Sequence, residues 1–162
     1  MLDTTLVLPV RDEPPRQVLL GLKRVGFGAG KVTGLGGKIE PGEAPEGAAV
    51  RELEEEVGLC ACPDDLHRVA RLAFRFPHRP AWSTVMYVYL VWAWQGTPVP
   101  GREIEPAWFA TELLPYDRMW ADSAYWLPRV LAGERICGHF IFAADNEAVE
   151  RVELVAWDGL ER

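Results

Sequence analysis

The sequence predicts a mixed α/β fold, with helices packed on a central mixed β-sheet, and three observations carry that expectation. Apolar, β-branched runs bounded by turn residues recur at both ends of the chain. One amphipathic stretch in the first half has the period of a helix instead. The elements then follow as strands, a helix, more strands, a helix and a last pair of strands, an order that packs into layers. A chain of 162 residues suits one domain with a substantial core, so a single domain over 1–162 is expected.

Leu6–Val10 and Val18–Leu22 read as two strands separated by Arg-Asp-Glu-Pro-Pro-Arg. Residues 26–37, GFGAGKVTGLGG, hold six glycines and predict a loop whose backbone bends unusually or approaches a ligand closely. From Pro45 to Val57 the pattern is helical: proline suits the first turn and Gly58 the left-handed position after the last. Ala49, Leu53 and Val57 form its buried stripe. His67–Phe76 and Val85–Trp94 predict paired strands, Ala107–Phe109 a short one and Ser123–Leu131 a second helix. Ile136–Phe142 and Val149–Val155, with Asp145-Asn146 between them, predict a final hairpin.

The 17 basic residues against 24 acidic ones leave a net charge of −7, which argues against a nucleic-acid polymer as partner. Three cysteines, Cys60, Cys62 and Cys137, show no metal-ligand spacing, and their odd count suggests no disulfide framework, which fits a cytoplasmic protein. No apolar run is long enough to span a membrane as a helix, and no secretory leader is visible.

Chemistry enters with Arg-Glu-Leu-Glu-Glu-Glu-Val-Gly, residues 51–58. At about 100° per residue, Glu52, Glu55 and Glu56 share one helix face, while Glu54 points roughly 200° away from Glu52 into solvent. Three convergent carboxylates suit a hard cation such as Mg²⁺ or Mn²⁺, which binds carboxylates together with substrate phosphates. Arg51, four residues before Glu55, is placed to hold it. Taken alone, the run reads more readily as a solvated acidic face, the usual meaning of a run of charge.

Its setting decides. Gly37, five residues, Glu43, seven residues, then Arg51-Glu52-Leu53-x-Glu55-Glu56-x-Gly58-Leu59 resembles the Nudix box at every specified position. Seven fixed residues match by chance on the order of 10⁻⁸ per window. The resemblance implies a loop–helix–loop on an α/β/α sandwich with a central mixed sheet. It implies hydrolysis of a nucleoside diphosphate linked to another group. Gly37, Glu52, Glu55 and Glu56 would ligate Mg²⁺ (or Mn²⁺), Glu43 would tie the loop down, and Arg51 would orient a glutamate. Glu56 is favoured as base for the attacking water, with Glu52 and Glu103 as rivals. Lys23 and Lys38, flanking the glycine loop, would meet phosphate charge.

Segments 20–31, 95–99, 103–109 and 119–126 narrow the likeness to the human-type MutT-homologue branch, the oxidised purine nucleoside triphosphatases. That branch hydrolyses nucleotides such as 8-oxo-dGTP to the monophosphate and pyrophosphate. By position, Lys23, Phe27, Thr33, Phe74, Trp120, Asp122 and Ser123 would surround the base, and Glu103 would be a metal-site glutamate outside the box. Asp122 in an apolar setting would have a raised pKa and donate a hydrogen bond. Tyr125 and Trp126 are expected in the core. Thr33 stands where the branch places a base-reading asparagine and Ser123 where it places a second aspartate, so base preference is the open variable. The expected substrate is a small nucleotide and the expected state a monomer. Competing expectations are another nucleoside diphosphate derivative and, from another class, a nucleotide-binding module without turnover.

Overall fold

The computed structural model describes residues 1–157. In chain order these form β1 (Leu2–Arg11), β2 (Gln17–Lys23), β3 (Val32–Thr33), α1 (Pro45–Val57), β4 (Leu66–Arg75), β5 (Thr84–Val91), β6 (Ile104–Ala110), α2 (Ser123–Leu131), β7 (Ile136–Phe142) and β8 (Val149–Ala156). The sheet runs β3-β2-β1-β5-β4-β7-β8, with β6 along the other side of β2. β1 with β5 and β4 with β7 are parallel, and the remaining pairs antiparallel. One core lies between the sheet and α2, centred on Leu8, Leu72, Phe140, Trp126 and Leu127. The other lies under α1, where Ala49, Leu53 and Val57 meet Val7, Leu35 and Tyr89. The result is an α/β/α sandwich.

Residues of β1 alternate between these cores, Leu6, Leu8 and Val10 facing one and Val7 the other. β1 pairs with β2 only at Val10–Val18 and Arg11–Gln17 before the two diverge. The glycine-rich segment enters that gap: Val7 exchanges backbone hydrogen bonds with Leu35, and the Thr5 amide donates to the Gly37 carbonyl at 2.9 Å. This split in the sheet positions the site.

Three expectations need adjusting. The strand predicted to reach Trp94 ends at Val91, the last residue opposite β1, and Trp92 turns its indole to donate to the Asp12 carbonyl at 2.9 Å. The short strand predicted at Ala107–Phe109 extends over seven residues because β2 pairs with it along its whole length, Glu105 and Pro106 included. β3, only two residues long, is too short for any periodicity to show.

Candidate active site

Arg51 organises the acidic side of the site. Its guanidinium grips Glu43 with two hydrogen bonds, at 2.8 and 3.0 Å, and donates to Glu52 at 3.0 Å, to Glu55 at 3.3 Å and to the Lys38 carbonyl at 3.1 Å. Loop and helix are thus joined through one side chain. Glu43 in turn accepts from the Glu40 amide at 3.0 Å. Hydrogen bonds from Arg51, then from that amide, hold the Glu43 carboxyl at a pKa of about 2. Glu54 turns away, as its helical angle predicts, and accepts from the Cys60 thiol at 2.7 Å.

Close approach of backbone dictates Gly36, and Gly37 lies tight against a carboxylate. A Cβ on Gly36 would lie 1.9 Å from the Thr5 carbonyl oxygen, and one on Gly37 would lie 2.6 Å from the Glu52 carboxyl group. The Gly36 amide donates to Glu56 at 2.7 Å. Burial pushes the Glu52 carboxyl up, against the pull of Arg51. Burial pushes Glu56 up to about 8, with repulsion from Glu52 and Glu103 adding to it and the Gly36 amide and Lys23 opposing.

Glu52, Glu55, Glu56 and Glu103, with Arg102, line a hollow of about 250 Å³. Among the described residues no three His, Cys, Asp or Glu side chains already close around one point as a formed metal cage. The donor chemistry nevertheless fits a hard divalent cation: four carboxylates face one hollow beside the Gly36–Gly37 backbone. Burial and mutual repulsion make Glu52 and Glu56 costly to ionise, and a divalent charge would offset that cost.

The second cavity, about 480 Å³, opens in the split between β1 and β2. It gathers every position that the sequence places around the base or beside the phosphates: Lys23, Phe27, Thr33, Lys38, Phe74, Trp120, Asp122 and Ser123. Gly36, Gly37 and Glu56 line it too, so Glu56 borders both spaces. Phe27 and Trp120 stack with centroids 5.3 Å apart. Asp122 is buried and accepts from the Trp126 indole Nε1 at 2.7 Å; burial pushes its carboxyl up to about 6.

Sequence reasoning missed Phe76, Trp82, Met119 and Phe142, which also line this cavity. Trp82 sits in a short 3₁₀ turn between β4 and β5 and meets Phe27 edge-on at 4.8 Å. Phe76 and Phe142 stack at 4.3 Å. A signal was present: Phe76 lies two positions beyond Phe74, which lines the cavity, and Phe142 two positions beyond Phe140, which stacks on Phe74. Trp126 is buried as expected but also lines the cavity, through its hold on Asp122. Tyr125 corrects its expectation: it is 47% exposed, because the buried face of α2 is made by Ser123, Trp126, Leu127, Val130 and Leu131. Among the described residues no helix is long and apolar enough to cross a membrane.

The NUDIX domain model matches residues 2–130. The chain is 41% identical over 138 residues to the oxidized purine nucleoside triphosphate hydrolase of Mus musculus, covering 85% of each chain. It is 40% identical over 146 residues to the protein of the same name from Danio rerio, covering 90% of each. In fold it is similar to the crystal structure of a MutT protein from Bacillus halodurans, with a TM-score of 0.80 at 20% identity, over 95% of this chain and 97% of that one.

Proposed function

The chain belongs to the Nudix family, and from that premise we propose that it hydrolyses oxidised purine deoxynucleoside triphosphates, such as 8-oxo-dGTP, to the monophosphate and pyrophosphate. The observation that carries the reading is Glu56, which borders both the carboxylate hollow and the aromatic cavity. A nucleotide with its purine in the cavity places its phosphates toward Glu56, Lys23 and Lys38. The relatives named as oxidized purine nucleoside triphosphate hydrolases support the choice of substrate. The enzyme acts on free nucleotides in the cytoplasm, as a single-domain monomer, and not on nucleic acid or membranes.

Glu52, Glu55, Glu56 and Glu103, with the Gly37 carbonyl, would hold Mg²⁺ (Mn²⁺ being the alternative), which neutralises phosphate charge and favours ionisation of water. Arg51 orients Glu52 and Glu55. Glu56 takes the proton of the attacking water, Glu52 and Glu103 being the rivals for that role. Lys23 and Lys38 meet the remaining phosphate charge. Phe27, Phe74 and Trp120 supply apolar and stacking surface for the purine. Thr33, Asp122 and Ser123 present hydroxyls and a readily protonated carboxyl to its edge.

Thr33 and Ser123 keep a second reading open, a nucleoside diphosphate derivative with another base or leaving group. A panel of nucleotides at one Mg²⁺ concentration, scored by kcat/KM, separates the two. The sanitising reading expects 8-oxo-dGTP or another oxidised purine to lead. Equal rates for dGTP and dATP would sink it, and no turnover with either metal would leave only a binding module.

A further inference from the structure

Phe27 stands at the tip of a loop, residues 24–31, and is 50% exposed. Its ring stacks on Trp120 and meets Trp82 edge-on, so one loop residue bridges two walls of the aromatic cavity. Backbone bonds close the loop at its base: the Gly30 amide donates to the Lys23 carbonyl at 2.8 Å and the Lys23 amide to the Lys31 carbonyl at 2.9 Å. On one flank Arg24 pairs with Glu105 at 3.2 Å.

On the other flank the tether is Lys31. Its ammonium lies 2.8 Å from the Glu147 carboxylate and 4.6 Å from the centroid of the Trp120 ring. Glu147 comes from the turn between β7 and β8, more than a hundred residues away in sequence. That turn is built independently of the loop, since Asp145 Oδ1 accepts from the amides of Glu147 and Ala148 at 2.9 Å each. The contact therefore joins a pre-ordered turn to a glycine-rich loop.

We propose that Lys31 and Glu147 form a latch at the mouth of the aromatic cavity, holding the 24–31 loop and its Phe27 in place and so setting how fast nucleotide leaves. The proposal rests on the reading that a purine occupies this cavity. A partly exposed ion pair backed by an aromatic face supports an effect of about two- to fivefold on loop opening. Lys31 acts through Phe27 and Trp120, as a positioning residue.

Two measurements test it. In the free protein, amide hydrogen exchange over residues 26–30 is expected to quicken about two- to fivefold in Lys31→Met and in Glu147→Gln. The double variant should be no faster than either single one, and the reversed pair Lys31→Glu with Glu147→Lys should return toward wild type. Unchanged exchange, or effects that add, would overturn the latch. In stopped-flow tryptophan fluorescence, 8-oxo-dGMP should leave each single variant faster by the same factor. Tighter binding in Glu147→Gln with weaker binding in Lys31→Met would make Lys31 a direct ligand and overturn the proposal. A wild-type protein with no response to 8-oxo-dGMP would overturn it together with the purine reading. Unchanged exchange beside a normal response would overturn the latch alone.

Discussion

The carboxylate hollow and the aromatic cavity share a border at Glu56 but are built in opposite ways. Apart from Arg102 and Glu103, which arrive from the segment leading into β6, the acidic apparatus is local: Gly37, Glu43, Arg51, Glu52, Glu55 and Glu56 fall within 20 residues, on one loop and one helix. Their geometry follows from helix pitch and one guanidinium. The cavity draws on residues from β1, the glycine loop, β4, the turn at Trp82, α2 and β7. Its shape depends on the register of the whole sheet. The contrast suggests that the bond-breaking apparatus is locally encoded and robust to drift elsewhere, whereas recognition is distributed and can change through single positions such as Thr33 and Ser123.

Breaking the acidic side should have the largest effect. Glu56→Gln is expected to lower kcat by about 10²–10⁴-fold while a non-hydrolysable nucleotide still binds; steady-state kinetics beside calorimetric titration would check it. A loss confined to KM would move the proton-accepting role to Glu52 or Glu103.

Breaking the aromatic side should do less, and differently. Trp120→Ala is expected to reduce kcat/KM by about 10–100-fold, mostly through KM, the size of one lost stacking contact. If kcat falls instead, the two regions are not separable as the comparison holds.

Asp122→Asn sharpens the contrast at smaller scale. Burial lifts the Asp122 carboxyl from the ordinary aspartate value of 3.8 to about 6, so between those values the native state binds more protons than the unfolded one. Its contribution to stability is therefore full below the lower value and is lost as pH rises through about 6. The wild type should lose about 2 kcal/mol from this group between about pH 4.5 and 7. Asparagine keeps an acceptor for the Trp126 indole but does not titrate, so urea unfolding across that range should show a flatter profile in the variant.

The same contrast explains what was legible in the sequence. Pro45 and Gly58 marked the ends of α1 because a proline in the first turn and a left-handed residue after the last are local requirements. α2 and β7 were also bounded from local pattern. Trp82 was not readable, because it reaches Phe27 only through the pairing of β4 with β5. Tyr125 was misplaced because aromatic character does not say which way a helix turns; Trp126 one position later takes the buried face. The full length of β6 was hidden by Glu105 and Pro106, residues that an isolated strand disfavours but that pairing with β2 accommodates.

Arg51 carries one more consequence. A guanidinium has five N–H donors, and here Glu43 takes two while Glu52, Glu55 and the Lys38 carbonyl take one each. None is left over for an incoming phosphate. Although it lies amid the acidic apparatus, Arg51 is saturated before any substrate arrives. The entropy of ordering the loop against the helix is therefore spent once, during folding, and not again at each turnover. The same saturation makes the position intolerant of lysine, whose three donors on a single nitrogen cannot reach acceptors spread around a plane.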